Sequence, residues 1–346
     1  MNNGIDTDDF ENLVLENGPT PDIFTSISSL PSIGPSTARK LADNGYETVF
    51  ALSAASIREL TSINGINETA AAKMIDMART AMDFSFETAD ILLVRRQQLR
   101  RITTGAKSLD ELLGGGGLET GSMTEMFGEF RTGKTQIVHQ LCVTVQLPRL
   151  FGGLRGEKED SEPVIAIYID TEGTFRPERI ISMCERFKDV LNPMEVLNNI
   201  RVARAYNSDH QMSLAEKAAR EAQSSNIKLI VVDSLTSHFR AEYTGRGEIA
   251  ERQQKLNHHI HTLLRAAEVN NLAVVVTNQV IAKPDMFFGD PTAPVGGHVV
   301  GHAAQTRVYL RKSKCNFRIA RIYDSPLLPE SEGVFALTLW GIMDLG

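Results

Sequence analysis

Cysteine is scarce in this chain: three in 346 residues, Cys142, Cys184 and Cys315. Their wide separation excludes thiolate metal-ligand spacing and reads as reduced thiols in a cytosolic protein. Long apolar runs are absent. Nothing approaches the ~18 consecutive apolar residues of a membrane span, and no basic-then-apolar leader opens the chain, so no membrane partner is expected. Net positive charge is also lacking. The formal charge of −7 gives nucleic-acid binding no support in bulk, so any such surface must concentrate its basic residues locally. From Met1 to Ala38 there is no Lys or Arg against six acids (Asp6, Asp8, Asp9, Glu11, Glu16 and Asp22). Residues 1–22 therefore read as a solvated, disordered acidic arm. No long repeat or low-complexity tract appears.

What is present is ordinary globular composition, 42% hydrophobic and 23% charged, at a length that fits two domains or one large α/β core with an appendage. Residues 23–80 form a small helical unit. LPSIGPSTARKL (30–41) and INGINETAAAKM (63–74) each set a glycine-containing turn before a helix, with Ser36 and Glu68 near its start as capping candidates. The pair resembles helix-hairpin-helix motifs, whose turn amides hold a nucleic-acid phosphate; a plain helical bundle is the alternative. Ser32 stands where that pattern usually has a second glycine. Residues 81–101 are a linker with Phe84, Phe86 and the basic cluster Arg95, Arg96, Arg100 and Arg101.

From 102 to 346 the pattern alternates. Apolar runs at 123–128, 164–170, 200–206, 228–233 and 272–278 are separated by helical stretches at about 134–147, 177–188, 211–226 and 248–270. Near-continuous Val/Ile runs between helices imply an α/β core with a mostly parallel sheet buried on both faces. TRVYLRK, RIARIY and VFALTLW, between 306 and 340, are expected to extend that sheet antiparallel.

Gly128-x-x-x-x-Gly133-Lys134-Thr135 fits the phosphate-loop pattern in full, after a strand and opening a helix. Its glycines allow a tight path that turns amide N–H groups toward phosphates. Lys134 brings a point charge to the β- and γ-phosphates, and the Thr135 hydroxyl is placed to ligate Mg²⁺. Gly128, Glu129, Phe130, Arg131, Thr132, Gly133, Lys134, Thr135 and Gln136 are thus the expected ATP-binding loop. LIVVD ends a strand in Asp233, a carboxylate suited to holding Mg²⁺ through water at the sheet's carboxyl edge. In IYIDTEGTFRPERI (167–180), Glu172 is the expected base that orients water, with Asp170 its competitor or else a turn cap. Gln279 of TNQV lies at another strand end, where an amide would sense the γ-phosphate.

Several segments together carry a family resemblance. GEFRTGKTQ, DTEGTFRPER, LIVVDSLTSHFRAEYTGRGEIAERQQ, TNQV, GGHVVGHAAQTRVYLRK and RIYDSPLLPE resemble the RecA-type strand-exchange recombinases, above all the archaeal RadA proteins and their eukaryotic relatives. The resemblance spans about residues 23–340 in order. It implies a RecA-fold ATPase, cytoplasmic and nucleoid-associated, that assembles with itself as a filament or ring. It also implies binding of single-stranded DNA and its pairing with a homologous duplex, with ATP and Mg²⁺ as cofactors.

Lys134, Thr135, Asp233, Glu172 and Gln279 take the roles given above, and Arg179 matches the residue that stacks on adenine. Arg240, Arg246 and Arg252 fall on a first DNA-binding loop. Residues 281–299, with Lys283 and two phenylalanines, Phe287 and Phe288, match a second. Phe86 and Ala89 match an F-x-x-A polymerisation motif, in which an extended linker fills a neighbour's pocket and adds a strand to its sheet. Asp324 and Pro329 match a segment that caps the ATP of an adjacent protomer, and His302 matches a position between the second loop and that interface. HHIH (258–261) lacks a nearby Cys or paired carboxylate, so no metal is expected there. A paralogue that remodels filaments without exchanging strands is the alternative; a ring-shaped motor would lack FETA joined to GGHVVGHAAQT.

Overall fold

A computed structural model describes residues 26–46, 48–53, 55–82, 88–158, 161–282 and 292–345. The acidic arm 1–22 and Phe84, Phe86, Lys283, Phe287 and Phe288 lie outside the described residues. The chain divides after Leu99 into two compact units.

The first unit contains helices Pro35–Asp43, Val49–Ser53, Ile57–Thr61 and Glu68–Ala81. Their apolar faces meet in a core where Leu41, Leu52, Leu60, Ala71 and Ala78 are fully buried. The caps differ from expectation. Asn67, not Glu68, caps the last of these helices, its Oδ1 accepting from the Ala70 N–H at 2.8 Å. Ser36 caps nothing either: Gly34 is the N-cap of the first helix, and Pro35 follows it at N1. The cap must precede the first helical residue with an extended backbone, a place Asn67 and Gly34 occupy and Glu68 and Ser36 do not. Ala89 is likewise not on an extended stretch but opens a helix, Ala89–Gln97. Asp90 in its first turn and the helix-favouring Leu, Arg and Gln that follow favour that state.

The second unit is built on a large sheet. Its strands in chain order are β1 (Arg101–Ile102), β2 (Leu118–Glu119), β3 (Ser122–Gly128), β4 (Ile165–Asp170), β5 (Ile200–Arg204), β6 (Ile227–Asp233), β7 (Ala273–Asn278), β8 (Val280–Ala282), β9 (Thr292–Pro294), β10 (Thr306–Lys312), β11 (Phe317–Asp324), β12 (Glu332–Thr338) and β13 (Gly341–Met343). Nine of them form one sheet in the order β13-β12-β11-β10-β3-β7-β6-β4-β5. From β10 to β5 every pairing is parallel. The expectation that TRVYLRK extends the sheet antiparallel is therefore wrong: β10 lies parallel to β3, with Thr306 beside Thr124. Only the tight 313–316 connection turns the chain back, making β11 antiparallel to β10.

Both faces of the parallel region are covered, as its Val/Ile runs require. Met126, Val231 and Val275 pack on one side with Ile137, Leu141 and Ile180 from the helices Lys134–Thr144 and Pro177–Cys184. Ile230, Val232, Val274 and Val276 pack on the other with Ala215, Ile260 and Leu263 from Ser208–Ser224 and Ile249–Asn270. Fully burying each such aliphatic side chain contributes about 1.5–3 kcal/mol. Among the described residues no helix is long and apolar enough to cross a membrane.

His259 lies inside the second layer. Burial pushes its imidazole down to about 3, and it faces the Gln211 amide at 3.1 Å and the Phe239 ring. A histidine whose folded value lies below the unfolded value of ~6.5 contributes its full stability above that pH and loses it as pH falls. Burial of His139 acts in the same direction. His259→Gln should flatten the acid limb of a pH–stability curve between about pH 6.5 and 4.5 by roughly 1.4 kcal/mol per pH unit. Urea denaturation at stepped pH measures it; an unchanged slope would remove His259 as the source.

Candidate nucleotide site and its neighbouring cavity

The parallel strands end together. Asp170 of β4 pairs in register with Asp233 of β6, and Phe127 of β3 with Asn278 of β7. At this edge the loop from Gly128 to Thr132 leads into the helix Lys134–Thr144, whose N-cap is Gly133 at φ +105°. Gly128 allows a close approach that no side chain would tolerate, since a Cβ there would stand 2.2 Å from the Leu310 carbonyl oxygen. Around this loop lies a cavity of about 730 Å³, lined by residues 128–136 and by Glu172, Asp233, Ser234, Thr277 and Gln279. That size suits a small-molecule ligand.

The basic and acidic groups here are held in place. Lys134 Nζ donates to the carbonyls of Gly128 and Glu129, each at 2.8 Å. Burial pushes its pKa down, opposed by the carboxylates of Asp233, Glu172 and Glu129. Asp233 accepts from the Tyr168 hydroxyl at 2.6 Å and from the Thr277 hydroxyl. Burial and the Asp233 charge push the Tyr168 phenol well up, so it stays a donor. Glu172 is exposed at the rim, and its Oε1 accepts from Ser234 Oγ and from Gln279 Nε2, each at 2.9 Å.

Asp170 is occupied differently. Its Oδ1 accepts from the N–H groups of Glu172, Gly173 and Thr174 at 3.1, 2.7 and 3.2 Å, and its Oδ2 from that of Phe175 at 3.2 Å. Arg204 pairs with it at 3.2 Å. Asp170 thus ties the turn that presents Glu172. Beneath that turn, His139 accepts the Arg176 N–H at Nε2 (3.1 Å) and donates from Nδ1 to the Thr135 carbonyl (2.7 Å), stacked on Phe175.

Arg179 does not line the cavity, but it bonds to Gln136, which does, at 2.7 Å. Its other nitrogens donate to the carbonyls of Leu339 and, at 2.7 Å, Thr338. Three hydrogen bonds thus fix the guanidinium.

Asp324 and Pro329 are not brought to this cavity. Asp324 lines a second one, of about 510 Å³, with Arg240, Arg252, Ile281, His302, Arg307 and Tyr323; Pro329 is exposed and lines neither. Arg246 opens the 3-10 turn Arg246–Glu248. Among the described residues no cluster of three or more His, Cys, Asp or Glu is gathered as a metal cage, at HHIH or elsewhere.

Sequence reasoning did not pick out Tyr168, Ser234, Thr277 or Arg204. A signal existed for Tyr168 and Thr277: each puts a polar atom into an otherwise Val/Ile strand, where it must find a partner.

A phosphate loop at the carboxyl edge of a mostly parallel sheet, with carboxylates from two neighbouring strands, defines a P-loop nucleotide-binding ATPase with a RecA-type core. Residues 95–345 match the Rad51 family model, and residues 24–80 match that of the SAM-like helix-hairpin-helix tandem. The chain is 53% identical over 318 residues to the DNA repair and recombination protein RadA of Aeropyrum pernix, covering 92% of this chain and 96% of that one. With the protein of the same name from Ignicoccus hospitalis it shares 54% over 320 residues, again covering 92% and 96%. The chain belongs to the Rad51 family of recombinases, which are DNA-dependent ATPases.

The geometry separates the two carboxylates of the DTE turn. Asp170→Ala should cost about 2–4 kcal/mol of stability, because it strands several turn N–H groups and Arg204. A urea midpoint equal to wild type would show that the turn holds itself.

Proposed function

We propose that this chain repairs DNA by homologous recombination, assembling with ATP on single-stranded DNA and exchanging that strand with a homologous duplex. The observation that carries the reading is the convergence on Glu172 Oε1 of Ser234 and Gln279, from the ends of β6 and β7, inside the phosphate-loop cavity. Glu172 is the base that orients water. Its second oxygen is turned to that task while Ser234 and Gln279 hold the first. Lys134 exchanges its two carbonyl partners for phosphate oxygens, a charge-assisted and stronger contact. Gln279, bonded to Glu172, reports the γ-phosphate to the segment that follows it.

The residues fit a hard divalent ion. Thr135 and Asp233 are oxygen donors at the loop's edge, and Mg²⁺ takes one or two carboxylates plus substrate phosphates rather than an all-protein cage. Thr135 and Asp233, whose carboxylate is already oriented by the Tyr168 and Thr277 hydroxyls, would hold the ion. When bound, the ion neutralises phosphate charge. Arg179 stacks on adenine. Asp324 and Pro329, remote from their own chain's cavity, close the ATP of a neighbouring copy. Arg240, Arg246, Arg252 and Lys283 contact DNA phosphates. The domain plan proposed is an arm (1–22), a helix-hairpin-helix domain (23–80), a linker (81–101) and the ATPase core (102–346).

Strand exchange between short labelled oligonucleotides tests this, with purified protein, ATP and Mg²⁺ and either a homologous or an unrelated duplex. Transfer confined to the homologous duplex is expected. Lys134→Ala should abolish it, and Glu172→Gln should keep ATP binding while turnover falls by at least ~100-fold. Hydrolysis without transfer would instead indicate a filament-remodelling paralogue, and separation of both duplexes alike a motor.

Self-assembly through Phe86 and Ala89 is tested by Phe86→Glu, which buries a charge in an apolar pocket. A folded monomer by light scattering is expected; an undiminished oligomer would discard the linker's role.

A further inference from the structure

Asn278 ends β7, one residue before Gln279, and is fully buried. A carboxamide has two donor and two acceptor positions, and here all four are used. Nδ2 donates to Glu125 Oε1 at 2.7 Å and to the Val295 carbonyl at 2.6 Å. Oδ1 accepts from the Thr236 hydroxyl at 2.7 Å and from the Gln279 backbone N–H at 2.9 Å. The Val295 N–H in turn donates to the Gln279 carbonyl at 3.0 Å. Beyond Glu125 the chain of contacts continues: Arg307 Nε donates to its other oxygen at 2.7 Å, and the Arg307 guanidinium lies 5.2 Å from the Tyr323 ring centre.

Each partner belongs to a different working segment. Glu125 is on β3, the strand that runs into the phosphate loop. Thr236 is the N-cap of Ser237–Glu242, the helix that carries Arg240. Val295 follows β9, where the segment after β8 returns. Arg307, Tyr323 and Val295 line the second cavity beside Arg240 and Arg252.

We propose that Asn278 is a positioning residue that couples the nucleotide cavity to both segments framing the second cavity. The amide is planar and rigid. A displacement of Gln279 at one edge turns the Thr236 contact at the same edge and the Glu125 and Val295 contacts at the other. Dropping the Thr236, Glu125 or Val295 bond would leave a buried polar group without that partner, so the members of the network shift together rather than one at a time. Glu125 anchors the arrangement: it is fully buried on β3, and Arg307 gives it a charged partner at 2.7 Å. The inference rests on the reading of Gln279 as the γ-phosphate contact.

Thr236→Val keeps the shape and deletes the hydroxyl; Thr236→Ser keeps the hydroxyl. Full-length variants are assayed for ATP affinity without DNA, for ATP turnover with and without a single-stranded oligonucleotide, and for thermal midpoint. In Thr236→Val the stimulation of turnover by DNA should fall roughly tenfold, while ATP affinity stays within about twofold. Thr236→Ser should recover the stimulation. The double variant Asn278→Ala/Thr236→Val should lose no more than Asn278→Ala alone, as expected of residues acting through one bond.

Full stimulation in Thr236→Val would overturn the relay, as would losses that multiply in the double variant. So would an affinity loss in Thr236→Val that simply tracks its thermal midpoint, the mark of a merely structural residue. Those results, against a wild type that DNA stimulates, would leave the recombinase reading standing. A wild type whose turnover ignores DNA would overturn both.

Discussion

Parallel register is the constraint on which this core depends. Strands β3, β7, β6 and β4 all point the same way, so their carboxyl ends share one edge, and Gly128, Asp233, Glu172 and Gln279, at or just past those ends, line one cavity. That edge is where backbone amides emerge unpaired and where a following helix turns its N-terminus toward a phosphate. The interior of the strands has one task, burial on both faces, and Val274, Val275 and Val276 or Ile230, Val231 and Val232 perform it. Their last residues are released from that task and carry the polar groups.

Polar groups at such an edge are only partly wet, and each is stabilised by partners that also aim it. Asp233 has Tyr168 and Thr277; Glu125 has Arg307 and Asn278; Lys134 has two carbonyls of its own loop. Removing one partner from a buried pair such as Glu125–Arg307 costs about 3–5 kcal/mol, so these positions resist independent movement. The phosphate loop, Asp233 and the Glu172 turn are each fixed by hydrogen bonds within the chain.

Much of this was legible in the sequence. The glycines and Lys134 of the phosphate loop, the five apolar runs and the carboxylates that end two of them, Asp170 and Asp233, read correctly as a P-loop α/β core, because burial on two faces and a tight phosphate turn leave few residue choices. Strand direction was less readable: nothing in TRVYLRK says that β10 enters the sheet beside Thr124 and runs parallel to β3. Caps were misplaced by a residue or two, since Asn67 and Glu68 are both polar and only the backbone at Asn67 distinguishes them. Glu172 was preferred as the base, with Asp170 as its competitor or else a turn cap. Their separation needed the turn itself, which folds four N–H groups around Asp170 and leaves Glu172 at the rim. The buried partners Tyr168, Ser234 and Thr277 come from three segments far apart in the chain, so their convergence is a property of the fold.

The overall charge of −7 is reconciled with a DNA partner by the same placement logic. Arg240 and Arg252 come to one cavity from a helix after β6 and a second helix, beside Asp324 and the Arg307 that pairs with Glu125. Phosphate contact responds to local charge within a Debye length of about 8–10 Å, not to the sum over the chain. The cavity is also where the Asn278 network ends, at Val295 and Arg307. The charged surface proposed for DNA and the edge that binds nucleotide are therefore two sides of a few fully bonded buried groups, and a change on one side has a short physical route to the other.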